Sequence, residues 1–229
     1  MLTQTTINGS SRQMLGKGVR RGPRIDCLPS GGSIELMGAP MSFSRNEEIY
    51  AEGEPADYFY QVVSGTVRTY KILADGRRQI GAFYLPGDMF GLESAEEHAF
   101  SAEAIADAKV LVIKRSAVVA LAQRDSDVAH QLWAVTAREL QRVQEHVLLL
   151  IKTAQERVVG FLLEMAERAR DDNEVELPMS RQDIADYLGL TIETVSRTLT
   201  HLATTAAIEV PTSRRIVLRN RAALSRLNA

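Results

Sequence analysis

Ser180-Arg181-Gln182-Asp183-Ile184-Ala185-Asp186-Tyr187-Leu188-Gly189-Leu190-Thr191-Ile192-Glu193-Thr194-Val195-Ser196-Arg197-Thr198-Leu199 is the stretch from which the rest of the chain is read. Ser180 followed three residues later by Asp183 is a capping signature for a helix start, and Ile184, Ala185 and Leu188 then share one apolar helical face. Gly189 is a C-cap that tolerates a positive φ, and Thr191 is placed to cap a second helix. Two short helices joined by a tight glycine turn make a helix-turn-helix. In the second helix Ile192, Val195, Leu199 and Leu202 fall on an inner face, while Glu193, Ser196, Arg197 and Thr200 project outward.

An outward Arg can donate a bidentate pair to guanine O6 and N7, and an outward Glu can accept from the cytosine N4 amine. Glu193, Ser196 and Arg197 are therefore the candidate base readers. Ser180, Gln182, Thr191, Thr194 and Thr200 carry short polar side chains suited to phosphate contacts, which position a helix without specifying sequence. The expected partner is double-stranded DNA. An ordinary helical hairpin would not need cap, turn, inner face and outer face to agree in this way.

Upstream, Ser126-Asp127 supplies a start signal for a long helix reaching at least Ile151. Trp133, Thr136, Leu140, Val143, Val147 and Leu150 alternate within it at spacings of three and four, a seam of heptad type. About 25 residues of helix span nearly 40 Å, more than a small domain needs for its own core. The seam predicts a homodimer; packing on the chain's own barrel is the competing use. A second helix follows, with Val158, Phe161, Leu162, Met165 and Ala166 on one face, ending in a charged turn from Arg168 to Glu174. Beyond it lies a helical unit with a strand pair at Ile208 to Leu218, turning at Thr212-Ser213-Arg214-Arg215.

From Phe43 to Lys114, stretches rich in Val, Ile, Tyr and Phe are separated by turn signals at Glu52-Gly53-Glu54-Pro55, Ser64-Gly65, Ala74-Asp75-Gly76 and Pro86-Gly87-Asp88. That spacing indicates a β-barrel or sandwich, with order beginning near Ser42. The expected organisation is a disordered basic arm over 1–41, a β-barrel sensor-type domain over 42–125, a dimerisation helix over 126–153 and a DNA-binding unit over 154–229. The class is α+β.

Composition agrees with a soluble globular chain: hydrophobic residues are 45% and charged residues 24% of the 229. The formal net charge is −2, yet residues 1–30 carry +4 and residues 177–229 carry +3, leaving about −9 between. A basic end beside an acidic body suits a polyanionic partner. No apolar run approaches the roughly 20 residues that span a bilayer, and the N-terminus lacks a secretory pattern, so the expected location is the cytoplasm, with no membrane partner. Cys27 has no second cysteine with which to form a disulfide or a cysteine-based metal site, and is read as a surface thiol. No nucleophile, base and orienting group fall into a recognisable motif, so no enzyme activity is expected.

Ile184 to Arg197 closely resembles the recognition motif of the Crp/Fnr superfamily, and its Glu-x-x-Ser-Arg pattern that of the Fnr/FixK branch. Gly53-Glu54-Pro55-Ala56-Asp57, Val63-Ser64-Gly65-Thr66-Val67 and Leu85-Pro86-Gly87-Asp88-Met89-Phe90-Gly91 resemble its barrel signatures. The resemblance implies an N-terminal barrel of cyclic-nucleotide-binding type, a long dimerisation helix and a C-terminal winged helix-turn-helix. It also implies that Glu193, Ser196 and Arg197 read a TTGAT-type half-site in the palindrome TTGAT-N4-ATCAA. RNA polymerase is then the protein partner of an activator serving oxygen-limitation or nitrogen-fixation circuits.

The chain departs from this pattern in three places. Members that bind cyclic AMP carry an Arg-Ser pair for the cyclic phosphate, whereas Gly91 to Ala102 has no Arg and is acidic. Oxygen-sensing members hold an iron–sulfur cluster on four cysteines, which one cysteine cannot supply. His98, His130, His146 and His201 stand alone and are read as structural or exposed, with haem ligation by one of them as the competing use. These departures point to the FixK-like group and to action with no cofactor and no metal. A barrel that binds an unidentified small molecule is the alternative. Thr204-Thr205-Ala206-Ala207, after the recognition helix, lacks the glycine common there in winged domains.

Overall fold

The computed structural model describes Ile34, residues 37–169 and residues 173–228. Cys27 and nearly all of the predicted arm lie outside the described residues. Strand β1 (Ala39–Phe43) begins ahead of Ser42, because Ala39 to Met41 already pair with β6 (Ser101–Lys114). Between them come β2 (Glu48–Tyr50), β3 (Tyr58–Ile72), β4 (Arg78–Tyr84) and β5 (Met89–Phe90). The pairing is antiparallel in the order β1-β6-β3-β4, with β2 on β6 and β5 on β3. This barrel-type sheet does not close through its described pairings.

Ser64-Gly65 is not the turn expected from sequence. Both residues lie inside the 15-residue β3, where the register against β6 shifts between Val62 and Ser64 and again between Ser64 and Thr66. Gly65 has φ +81°, and a Cβ there would lie 2.3 Å from the Asp107 carbonyl oxygen. The glycine serves a β-bulge and a close backbone approach, which local sequence does not distinguish from a turn. Inside the sheet Tyr50, Tyr60, Tyr84 and Phe90 are buried against one another, with the Tyr60–Phe90 and Tyr84–Phe90 ring centroids 5.1 Å apart.

After α1 (Arg115–Ala122) comes α2 (Ser126–Leu150). Its N-cap is Asp125 rather than Ser126: the Asp125 carboxylate accepts from the backbone N–H of Asp127 at 2.9 Å and of Val128 at 3.4 Å. Val128 and Val135 of α2 pack with Val118 of α1 against Phe59, Met89 and Ile113 of the sheet. The seam points the other way. Trp133 is 74% exposed, Leu140 58%, Val143 51% and Val147 55%; Thr136 is exposed and Leu150 half-buried.

The chain continues through α3 (Ala154–Ala169), β7 (Glu174–Glu176), α4 (Arg181–Leu188), α5 (Ile192–Thr204), β8 (Ile208–Glu209), β9 (Arg215–Leu218) and α6 (Arg221–Leu227). Where a charged turn was expected up to Glu174, that residue instead opens a strand pairing with Val217 of β9. Three residues are too few to show a strand period. Phe161 and Leu162 of α3 share one apolar core with Ile184 and Tyr187 of α4, Val195 and Leu199 of α5, and Ile80, Phe83 and Ile105 of the barrel sheet. Phe83 lies 5.1 Å from Tyr187 and 6.2 Å from Phe161 between ring centroids.

Two glycines separate backbone strain from steric clash. Gly53 also has a positive φ, but a Cβ there would meet nothing within 4 Å. Gly53→Ala is expected to cost about 1–2 kcal/mol of left-handed strain, and Gly65→Ala clearly more. Urea unfolding of the two variants measures the difference; equal losses would contradict the bulge assignment.

Candidate nucleic-acid interface

Helix α4 starts with a complete capping box. Ser180 Oγ accepts from the Asp183 N–H at 3.1 Å, while Asp183 Oδ2 accepts from the Ser180 N–H at 2.9 Å and from its hydroxyl at 2.8 Å. At the other end Gly189 adopts φ +61°, the left-handed cap expected of it, and the Leu190 N–H closes onto the Ala185 carbonyl at 2.9 Å. Thr191 then caps α5, its hydroxyl accepting from the Thr194 N–H at 3.2 Å. Arg157 of α3 steadies the junction by donating to the Leu188 carbonyl at 3.0 Å. The two helices are thus held at both ends and at their turn.

On α5, Val195, Leu199 and Leu202 are buried, at spacings of four and three. Ile192, expected on the same inner face, is 37% exposed, because as the first residue of α5 it stands at the helix tip. Glu193, Arg197 and Thr200 are exposed on the opposite side, and Ser196 is half-buried beside them. Arg197 Nε donates to the Glu193 backbone carbonyl at 3.4 Å, and the four-residue spacing sets the two side chains on one stripe. Ser196 Oγ accepts from Arg181 Nη1 at 3.3 Å. The Glu193 carboxyl is held below the usual carboxylate range by its own backbone N–H and by the Thr191 hydroxyl, so it presents an acceptor.

Of the residues read as phosphate contacts, Ser180, Gln182, Thr191 and Thr200 are exposed and Thr194 half-buried. Gln182 is already engaged, donating to Asp186 Oδ1 at 2.6 Å. Two cations escaped the sequence reading. Arg181 is the first residue of α4, and Arg214 sits exposed in the turn before β9, beside Arg215, which ion-pairs with Glu174. The Arg214-Arg215 pair at a strand turn was the available signal.

The underside of α4 is gripped by the barrel. Asp183 is buried, and its Oδ1 accepts from Arg68 Nη1 of β3 at 2.7 Å and from Arg78 Nη2 of β4 at 2.6 Å. Arg78 also reaches Asp186 Oδ2, at 2.8 Å from Nε and 2.7 Å from Nη2. Burial pulls the Arg78 guanidinium down, but the hydrogen bond to Asp186 and the charge of Asp183 hold it above its ordinary value.

The segment from Gly91 to Ala102 is tied to the barrel through His98 and Arg115. His98 is buried, stacks on Tyr50 with centroids 3.6 Å apart, and places Nδ1 3.3 Å from Glu93 Oε2. Arg115 donates to the carbonyls of Ala56 at 3.1 Å, Ala95 at 2.9 Å and Glu93 at 2.5 Å. Among the described residues no group of three or more His, Cys, Asp or Glu side chains is arranged to hold a metal ion. No described helix is long and apolar enough to cross a membrane.

Residues 40–125 match the cyclic nucleotide-binding domain and residues 156–227 the Crp-like helix-turn-helix domain. The chain is 53% identical over 202 residues to the nitrogen fixation regulation protein FixK of Azorhizobium caulinodans, an overlap of 86% of this chain and 82% of that protein. Against FixK of Rhizobium meliloti it is 41% identical over 197 residues, covering 82% and 90%. The structure of FixK2 from Bradyrhizobium japonicum superposes with a TM-score of 0.80 at 55% identity, covering 84% of this chain and 98% of that one.

Ala206 closes α5 at φ +54°, its N–H bonded to the Ala203 carbonyl at 3.0 Å. An alanine thus bears the left-handed strain that a glycine would relieve. Ala206→Gly is expected to stabilise the fold by about 0.5–1 kcal/mol, the strain relieved less the added freedom of the unfolded chain. A lowered urea midpoint would contradict this.

Proposed function

Because the chain belongs to the Crp/Fnr family of transcription regulators, we propose that it works as a homodimer that reads a palindromic operator and activates transcription without a bound effector. The observation that carries this reading is the outer face of α5, where exposed Glu193 and Arg197 flank half-buried Ser196 on a helix capped and braced on its inner side. Arg197 would donate to guanine O6 and N7 while Glu193 accepts from a cytosine amine, giving each half-site its central G·C pair. Ser180, Gln182, Thr191, Thr194 and Thr200, with Arg214 of the wing, would hold the flanking phosphates. TTGAT-N4-ATCAA is the expected operator.

A second exposed feature supports the dimer. Trp133, Thr136, Leu140, Val143 and Val147, with Leu150, form a stripe along α2 that a monomer would leave in water, and Leu148 and Ile151 extend it at 59% and 79% exposure. Paired α2 helices would set two recognition helices about a two-fold axis, matching an inverted repeat. The proposed division of labour is a barrel over 42–125 as platform, 126–153 as dimer helix and 154–229 as reading unit.

The barrel favours action without a cyclic nucleotide. Its interior holds the stacked rings of Tyr50, Tyr60, Phe90 and His98, and Arg115 is committed to the carbonyls of the loop where a cyclic phosphate would lie. With Glu93 facing the same place, an anionic phosphate does not fit. Activation through RNA polymerase, in the cytoplasm, rests on kinship with proteins named as activators, such as Anr of Pseudomonas protegens at 35% identity. A regulator of this kind has no catalytic residues and serves nitrogen-fixation or oxygen-limitation circuits.

Two experiments test this. Arg197→Ala should cost about 1–3 kcal/mol per half-site and relax discrimination at the central pair, whereas Thr191→Ala should weaken all sequences alike. Titration against all four bases at fixed salt checks it; a uniform loss for Arg197→Ala would reduce that residue to a positioning role. Val143→Glu with Val147→Glu should yield monomers in sedimentation and abolish operator binding without added effector. A dimeric double variant with full affinity would refute the seam.

A further inference from the structure

The recognition unit and the dimer helix are both fastened to the barrel by arginine–carboxylate contacts, buried at Arg68 and Asp183 and half-buried at Arg78, Asp88, Arg142 and Arg168. On the recognition side, one carboxylate does two jobs. Asp183 Oδ2 completes the capping box of α4, while Oδ1 accepts from Arg68 and Arg78. Arg68 is itself held on its other side by Glu103 of β6, Nη2 to Oε1 at 3.0 Å, and its side chain is 9% exposed. Arg78 spans Asp183 and Asp186, which lie three residues apart on one face of α4. Gln79 adds a contact from Nε2 to the Tyr187 carbonyl at 3.4 Å.

On the dimer-helix side the polarity is reversed. Asp88 of the barrel accepts from Arg142 of α2 at 3.1 Å and from Arg168 of α3 at 2.5 Å. The angle between α2 and α4 is therefore set by directional ion pairs at both ends. The apolar contact of Phe83 with Phe161 and Tyr187 resists separation, but it is less directional and tolerates small rotations. Buried ion pairs are weak stabilisers when compared with apolar replacements, and their better-attested use is to select one geometry.

That geometry has a consequence on DNA. Each base pair added between half-sites moves the second one by about 3.4 Å and turns it by about 35°. A frame that cannot rotate accepts one spacing; a loosened frame accepts several. We propose that Arg68 and Arg78 are positioning residues that select the spacing between half-sites, by clamping α4 to the barrel through Asp183 and Asp186. The proposal rests on the homodimer and palindrome reading above.

The test measures affinity for operators with three, four and five base pairs between identical half-sites. It compares the full-length protein, Arg78→Gln, the double variant Arg68→Gln with Arg78→Gln, and Arg77→Gln. Among the described residues the Arg77 side chain pairs with neighbouring Asp75 on the surface, and it serves as the control. The unsubstituted protein and Arg77→Gln should prefer one spacing by at least about tenfold. In the double variant that ratio should fall towards one, with Arg78→Gln between. Should the double variant fail to melt cooperatively or to sediment as a dimer, Arg78→Gln, whose side chain is 26% exposed, carries the test. Variants that keep the full ratio, or lose affinity equally at every spacing, overturn the clamp. An unsubstituted protein without spacing preference overturns the palindrome reading itself, and the clamp with it.

Discussion

The carboxylate of Asp183 is the constraint on which the architecture turns. A buried anion must be compensated by charge and hydrogen bonds, and Asp183 finds both at once: the Ser180 cap on one oxygen, the guanidiniums of Arg68 and Arg78 on the other. Local helix initiation and long-range docking are therefore the same interaction. α4 cannot take its capped form in this structure without presenting Asp183 where the barrel arginines meet it.

From that contact the remaining geometry follows in order. Fixing α4 fixes α5, because Gly189, Thr191 and Arg157 leave the turn between them little freedom. The inner face of α5 then buries Val195, Leu199 and Leu202, and Glu193 and Arg197 emerge on the side away from the core. On the opposite flank Asp88 ties α2 and α3 to the barrel, so the apolar stripe of α2 faces outward instead of packing on its own sheet. Inside the barrel-type sheet the aromatic rings stack on one another and on His98.

What was legible in the sequence was what is encoded locally. Caps, a glycine turn and a heptad spacing each need only a few neighbouring residues, and so the helix-turn-helix, the long helix and the outward stripe of α5 could be read directly. Each misreading has its own physical cause. Ser64-Gly65 looks like a turn until the approach of Asp107, far along the chain, shows it to be a bulge. Ile192 follows the apolar period but lies past the end of the surface that would cover it. Asp125 caps α2 one residue earlier than Ser126 suggested, since neighbouring capping residues look equivalent in sequence. The clamp itself joins residues more than a hundred positions apart, and nothing in the local patterns around Arg68 or Arg78 announces it.

The claim that α5 reads operator bases from the major groove has a direct chemical probe. Methylating guanine at N7 blocks the major-groove acceptor that Arg197 needs, whereas methylating adenine at N3 alters only the minor groove. In a methylation-interference experiment on the palindrome, N7 methylation of the central guanine should abolish binding in both half-sites. Interference confined to adenine N3, or none at the half-site guanines, would contradict the account.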